Sequence, residues 1–248
     1  MNKIALQSFS RYFSSIKSKM GDFQKVTHCI FDMDGLLLDT EGVYKASYQK
    51  LLKQYGHEYT EDIRVKVLGT KEQDTAKIII ESYQLPLTVE EFSKESKKLQ
   101  VDDLSKATLL PGAERLVRHL HQSQVPIAVA TSSGARAVEL KTTNHKPLFG
   151  LFHHIVSAST DAEVKNGKPA PDIFLVAAER FGDGVKPEKC LVFEDAPNGV
   201  QAGRSAGMQV VMVPDPVIPD ERRAAATLVL ETLEDFKPEL FGLPPFPQ

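Results

Sequence analysis

The sequence has no tryptophan, only two cysteines in 248 residues, and no surplus of positive charge, since 30 lysines and arginines face 33 aspartates and glutamates. Two cysteines cannot supply a disulfide framework, so stability has to come from a packed core, which a chain of this length can bury. Cys29 and Cys190 both sit inside apolar runs. There a thiol behaves as a small hydrophobe, which fits a reducing, cytoplasmic setting, and the two alone make no metal site. A net charge of −3 offers no broad basic field for a nucleic-acid polymer. No apolar run approaches the roughly 20 residues that cross a bilayer, so no membrane span is expected. Internal repeats and low-complexity tracts are also missing.

What is present falls into three parts. Residues 1–21, "MNKIALQSFSRYFSSIKSKMG", carry four basic residues, many serines and no acid. That composition fits a disordered N-terminal extension better than a mitochondrial transit peptide, whose signature would be compositional alone. From Val26 onward, strand-like and helix-like segments alternate. "VTHCIF", "PIAVAT" (126–131), "HIVSA" (154–158), "KCLVFED" (189–195), "MQVVMVP" and "TLVL" read as strands. "PGAERLVRHLHQ" (111–122), "ELKTTNH", "PDIFLVAAERF" (171–181) and "NGVQAGRSAG" read as helices. Repeated strand–helix units predict an α/β fold: a Rossmann-like parallel sheet with helices on both faces. The stretch 40–108 breaks that rhythm with polar helical sequence, starting at a helix that Thr40 could cap. It predicts an inserted small helical domain, leaving 22–39 and 109–248 as the core.

In such sheets ligands bind beyond the carboxyl ends of the strands. The polar groups collect there. "CIFDMDGLLLDTE" (29–41) runs from a strand straight into Asp32 and Asp34, which would share one side if the strand continued. "PIAVAT" ends in Thr131, followed by Ser132 and Ser133, and "KCLVFED" ends in Glu194 and Asp195. "GKPAPD" sets Lys168 in a turn ahead of a helix. Four acids against one lysine suit a hard divalent cation bound through oxygen, which would let a phosphate dianion approach. A carboxylate can then attack phosphorus, and a second acid can serve as proton donor and acceptor. The seven histidines show no ligand spacing tied to these acids.

"FDMDG", "VATSS", "GKPAPD" and "FEDAPNG", in that order, resemble the four signature segments of the haloacid dehalogenase superfamily. The resemblance covers nearly the whole chain after the first twenty residues, including a helical cap inserted after the first segment. It implies that Asp32 is the nucleophile and Asp34 the general acid/base, with Thr131, Ser132 and Lys168 contacting the phosphoryl group. It further implies Mg²⁺ held by Asp32, Asp195 and the Asp34 backbone carbonyl, with direct ligation by Glu194 left open. The expected partner is a small phosphorylated metabolite, a nucleoside monophosphate, with a sugar or glycerol phosphate as the alternative, and no obligate protein partner is evident. The related β-phosphoglucomutases carry a histidine twelve residues after the nucleophile, where this chain has Tyr44, so hydrolysis is expected over mutase chemistry. Every catalytic position is intact, which ranks a silent binding protein last. Substrate choice is expected to come from 40–108, where Glu41, Gln73 and Asp74 are among the candidate acceptors.

Overall fold

The computed structural model describes residues 23–67, 70 and 72–247; the expectations for residues 1–21 lie outside them. Its frame is a six-stranded sheet: β1 (His28–Phe31), β2 (Ile127–Thr131), β3 (His154–Ser157), β4 (Cys190–Glu194), β5 (Gln209–Met212) and β6 (Leu228–Val229). The order is β3-β2-β1-β4-β5-β6 and every pairing is parallel. Parallel pairing needs helical crossovers, which cover both faces, so the strands must be apolar on both sides. They are, and alternate residues divide cleanly. Cys29, Phe31, Ile127, Val129, Leu191 and Phe193 enter one core cluster. Ile30, Ala128, Ala130, Cys190 and Val192 enter the other.

The helices are α1 (Glu41–Lys53), α2 (Glu61–Val67), α3 (Glu72–Tyr83), α4 (Val89–Leu104), α5 (Ala113–Gln122), α6 (Ala135–Thr142), α7 (Lys146–Phe149), α8 (Asp172–Glu179) and α9 (Pro197–Ser205). Helix α5 lays Leu116, Val117 and Leu120 on the first face, where Phe31 and Phe193 stack with centroids 4.5 Å apart. Helices α8 and α9 cover the second face with Ile173, Phe174, Ala177 and Val200. The two thiols are buried in different clusters and are free. Helices α1–α4, between β1 and α5, close around a core of their own built from Leu51, Leu52, Ile63, Ala76, Ile79 and Phe92. No helix among the described residues is long and apolar enough to cross a membrane.

Three expectations need correction. The first strand does not run on to Asp34: it stops at Phe31, and Gly35 takes φ +80° to turn the chain. Only glycine adopts that conformation without strain, so the acids leave from a tight loop rather than from a pleated edge. Thr40 precedes α1 as expected but makes no side-chain cap to it, because its hydroxyl is turned elsewhere. The helix expected at "ELKTTNH" also begins earlier, at Ala135, and ends at Thr142.

Candidate active site

Asp32 follows β1 immediately and is buried beyond the sheet's carboxyl edge. Lys168 reaches it from the loop before α8, Nζ lying 2.5 Å from Asp32 Oδ1 and 2.7 Å from Glu194 Oε1. The same ammonium donates to the Ala130 carbonyl at 3.2 Å, which fixes it against β2. Glu194, at the end of β4, turns its second oxygen inward to accept the amides of Asp195 at 2.9 Å and Ala196 at 3.0 Å. Both of its oxygens are therefore occupied by protein. A side chain at Gly199, in the first turn of α9, would overlap the Glu194 carboxylate, so the glycine makes room for this anchor. Glu194 thus holds Lys168 through Oε1.

Asp34 has a second lysine of its own. Lys141, from α6, is wholly buried and donates to Asp34 Oδ1 at 2.5 Å and to Ser133 Oγ at 2.8 Å. Thr40 Oγ1 donates to the same carboxylate at 2.8 Å, Ser133 Oγ at 2.8 Å and Thr131 Oγ1 at 3.3 Å. Burial would raise this acid, but the Lys141 charge and these hydrogen bonds outweigh it and hold Asp34 below the usual carboxylate range. Asp32 goes the other way. Its burial, aided by the charges of Glu194 and Asp34, pushes it up to about 7 against the pull of Lys168. Asp195 rises too, first from burial, then from Glu194 and Asp32.

Four acids and two buried lysines leave the pocket two negative charges in excess, and the excess falls on Asp32 and Asp195. A divalent cation would balance it. Among the described residues no three His, Cys, Asp or Glu side chains are grouped to hold a metal. The donors that fit are two carboxylates plus main-chain oxygen. Asp195 packs so tightly on Gly35 that a Cβ there would overlap its carboxylate, which sets it beside the main chain of Asp34. That hard-oxygen set suits Mg²⁺, which uses few carboxylates and keeps places for water and phosphate oxygens.

Helix α1 brings further groups to the same edge. Glu41 is half-buried, and its burial together with the charge of Asp34 pushes its carboxyl up to about 7. Tyr44, one turn on, stacks its ring over Lys141 with Nζ 5.2 Å from the centroid, and burial raises its phenol to about 12. Arg64 of α2 crosses to Asp215, in the loop after β5, and donates Nη1 to Glu61 at 3.1 Å.

Of the residues singled out in the sequence, Asp32, Asp34, Thr131, Lys168, Glu194 and Asp195 meet here. Ser132, next to Thr131, is exposed, and the neighbouring Ser133 carries the hydroxyl that reaches Asp34. Lys141 was missed. Nothing near it in "ELKTTNH" signals burial, although an acid left without a cation in the count of four against one was a sign that a second lysine was owed.

The fold and the site together define a hydrolase with paired acids at a parallel sheet edge. A family model described as haloacid dehalogenase-like hydrolase matches residues 29–213. A Drosophila melanogaster protein named a probable pseudouridine-5′-phosphatase is 56% identical over 223 residues, covering 90% of this chain and 96% of its own. An Arabidopsis thaliana (DL)-glycerol-3-phosphatase is 46% identical, covering 89% of this chain and 93% of its own. Among solved structures, a β-phosphoglucomutase from Clostridium difficile superposes with a TM-score of 0.70 at 26% identity, covering 86% of this chain and 93% of its own. The chain belongs to the haloacid dehalogenase-like hydrolase family, as one of its phosphatases.

Proposed function

We propose that the chain is an Mg²⁺-dependent phosphomonoester hydrolase that works through an aspartyl-phosphate on Asp32 and acts on pseudouridine 5′-phosphate. The observation that carries the substrate is the 56% identity to the fly protein across nearly the full length of both chains. The observation that supports the chemistry is the pairing of a lysine-bound Asp32 with a second acid, Asp34, two residues on.

On this reading an Asp32 oxygen attacks phosphorus, and the bond to the leaving oxygen breaks. Before substrate binds, Lys141 holds Asp34 ionised, so on this reading the bound phosphate dianion opposes that pull and Asp34 takes up the proton it then passes to the leaving alkoxide. Water then attacks the acyl phosphate, giving its proton to Asp34 and releasing inorganic phosphate and free Asp32. Lys168 and the Thr131 hydroxyl stabilise charge on the transferring oxygens. Mg²⁺ held by Asp32, Asp195 and the Asp34 carbonyl supplies charge neutralisation for the phosphoryl group. Residues 40–108 form the cap over the site, with 22–39 and 109–248 as the core.

The 46% identity to the Arabidopsis protein favours a second reading, hydrolysis of glycerol phosphate. Measuring kcat/KM for pseudouridine 5′-phosphate, uridine 5′-phosphate, glycerol 3-phosphate and several sugar phosphates separates the two. Pseudouridine 5′-phosphate should lead. Equal values for the two uridine isomers, or a lead for glycerol 3-phosphate, would overturn the substrate assignment and leave the phosphatase. Inorganic phosphate should appear in step with substrate loss. Conversion of a hexose 1-phosphate to its 6-phosphate without free phosphate would instead establish a mutase.

A further inference from the structure

We propose that Glu41 reads the leaving alcohol, accepting hydrogen bonds from hydroxyl groups next to the ester bond that is cleaved. The inference rests on the phosphatase reading and assigns a specificity contact within it.

The position is the first argument. Glu41 opens α1 and follows Thr40, whose hydroxyl is bonded to Asp34 Oδ1. A leaving oxygen protonated by Asp34 has its own carbon chain within reach of the next residue along this loop. The charge of Glu41 is felt by groups on both sides of the site. Asp34, Lys141, Asp195 and Asp215 lie on the sheet side, and Tyr44, Tyr48, Tyr59 and Arg64 on the side of the α1–α4 segment. Thr40 before it and Tyr44 one turn after it both touch the Asp34–Lys141 pair, which places Glu41 at the same edge.

The second argument is what Glu41 lacks. Its neighbours Asp34, Glu194 and Asp215 all accept side-chain or main-chain donors. Glu41 accepts none among the described residues, although it is half-buried. Arg64, a cation whose charge acts on Glu41, spends Nη2 on Asp215 and Nη1 on Glu61, while its buried Nε has no hydrogen-bond partner. A partly desolvated carboxylate without a donor costs stability, and a ligand bearing hydroxyls removes that cost on binding. The other candidate acceptors sit elsewhere: Gln73 and Asp74 are exposed on α3, and Gln73 lines an outer groove with Lys77, Lys94 and Lys97.

The chemistry follows from the side chain. An ionised carboxylate only accepts, and its two oxygens match two neighbouring hydroxyls. Glycerol 3-phosphate and the ribose 5′-phosphates share that polyol character, so one residue can serve both readings of the substrate.

The test compares wild type, Glu41→Gln and Glu41→Ala with Mg²⁺ on three phosphates. Two carry hydroxyls, pseudouridine 5′-phosphate and glycerol 3-phosphate; the third, p-nitrophenyl phosphate, carries none. For the better of the two hydroxylated substrates, kcat/KM should fall about 100-fold in both variants, the scale of a hydrogen bond to a charged group. Turnover of p-nitrophenyl phosphate, which has no hydroxyl to lose, should fall far less. Glu41→Gln fills the same volume and gives the answer if Glu41→Ala does not fold. Equal losses on all three substrates, or none on the hydroxylated ones, would overturn the assignment alone. A wild-type protein inert towards all three phosphates would overturn the phosphatase reading and this assignment with it.

Discussion

Lys141 Nζ lies 2.5 Å from Asp34 Oδ1, joining two residues 107 positions apart, with the lysine side chain wholly buried. Removing one partner of a buried ion pair leaves the other charge uncompensated, at a cost of about 3–5 kcal/mol. Lys141→Met should therefore lower Tm markedly and reduce kcat. The double variant Lys141→Met/Asp34→Asn, which removes both charges, should regain much of the lost stability while staying inactive. Chemical denaturation of the wild type, both single variants and the double variant measures the coupling. Additive losses would show that the pair contributes nothing.

Asp32→Asn keeps the shape of the proposed nucleophile and removes its attacking anion. Turnover should fall by about 10⁴-fold or more, the scale seen when a nucleophile is deleted. Circular dichroism and Tm should stay close to wild type, because the change also relieves a buried carboxylate that its surroundings push up. Near-normal activity would sink the mechanism.

Metal binding should depend on pH in a defined direction. The folded Asp32 binds its proton more tightly than the unfolded chain does, with a pKa raised from 3.8 to about 7. Its contribution to stability is present below about pH 4 and is lost as pH rises through about 7. Asp195 shifts in the same sense. At the proposed metal site protons and Mg²⁺ would compete for these oxygens, so the Mg²⁺-induced rise in Tm should be larger at pH 8 than at pH 5.5. Thermal melts with and without chelator at both values check this. Chelation should also abolish turnover at pH 8, and excess Mg²⁺ should restore it.

Gly199→Ala should damage the site from behind. The added methyl would overlap the Glu194 carboxylate, which is pinned by two backbone amides and by Lys168. Overpacking of this kind costs about 1–3 kcal/mol. Here it should also displace Lys168, so kcat should fall even where the protein remains folded. Gly207→Ala is a useful contrast. It meets nothing within 4 Å and is strained only through its φ of +80°, so it should cost stability without lowering kcat.

The sheet was legible because its strands are short apolar runs bounded by turn residues, and because acids or hydroxyls close β1, β2 and β4. Local sequence carries that information. What it does not carry is the direction a loop takes after a strand. Gly35 hints at a turn, but only the fold reveals that β1 has already ended and that Asp34 faces Lys141. Helix α6 is short and half polar, so its lysine reads as solvent-facing until Asp34, Ser133 and Tyr44 close around it. Thr40 shows the same limit. A threonine before a helix is expected to cap that helix, yet a buried carboxylate nearby is the stronger acceptor and takes the hydroxyl.

The strand order has a consequence for how the chain is made. β1 is flanked by β2 and β4, so the first strand pairs with neighbours about 100 and 160 residues further along. Non-local pairing of this kind is slow, because chain entropy is lost before the contacts repay it. During synthesis β1 must wait, half-covered, until β4 leaves the ribosome, and Glu194 and Asp195 arrive with that last neighbour. A nascent chain stalled before residue 190 therefore lacks both the second edge of its central strand and the acids that complete the pocket. Folding of the core and assembly of the site are one late event.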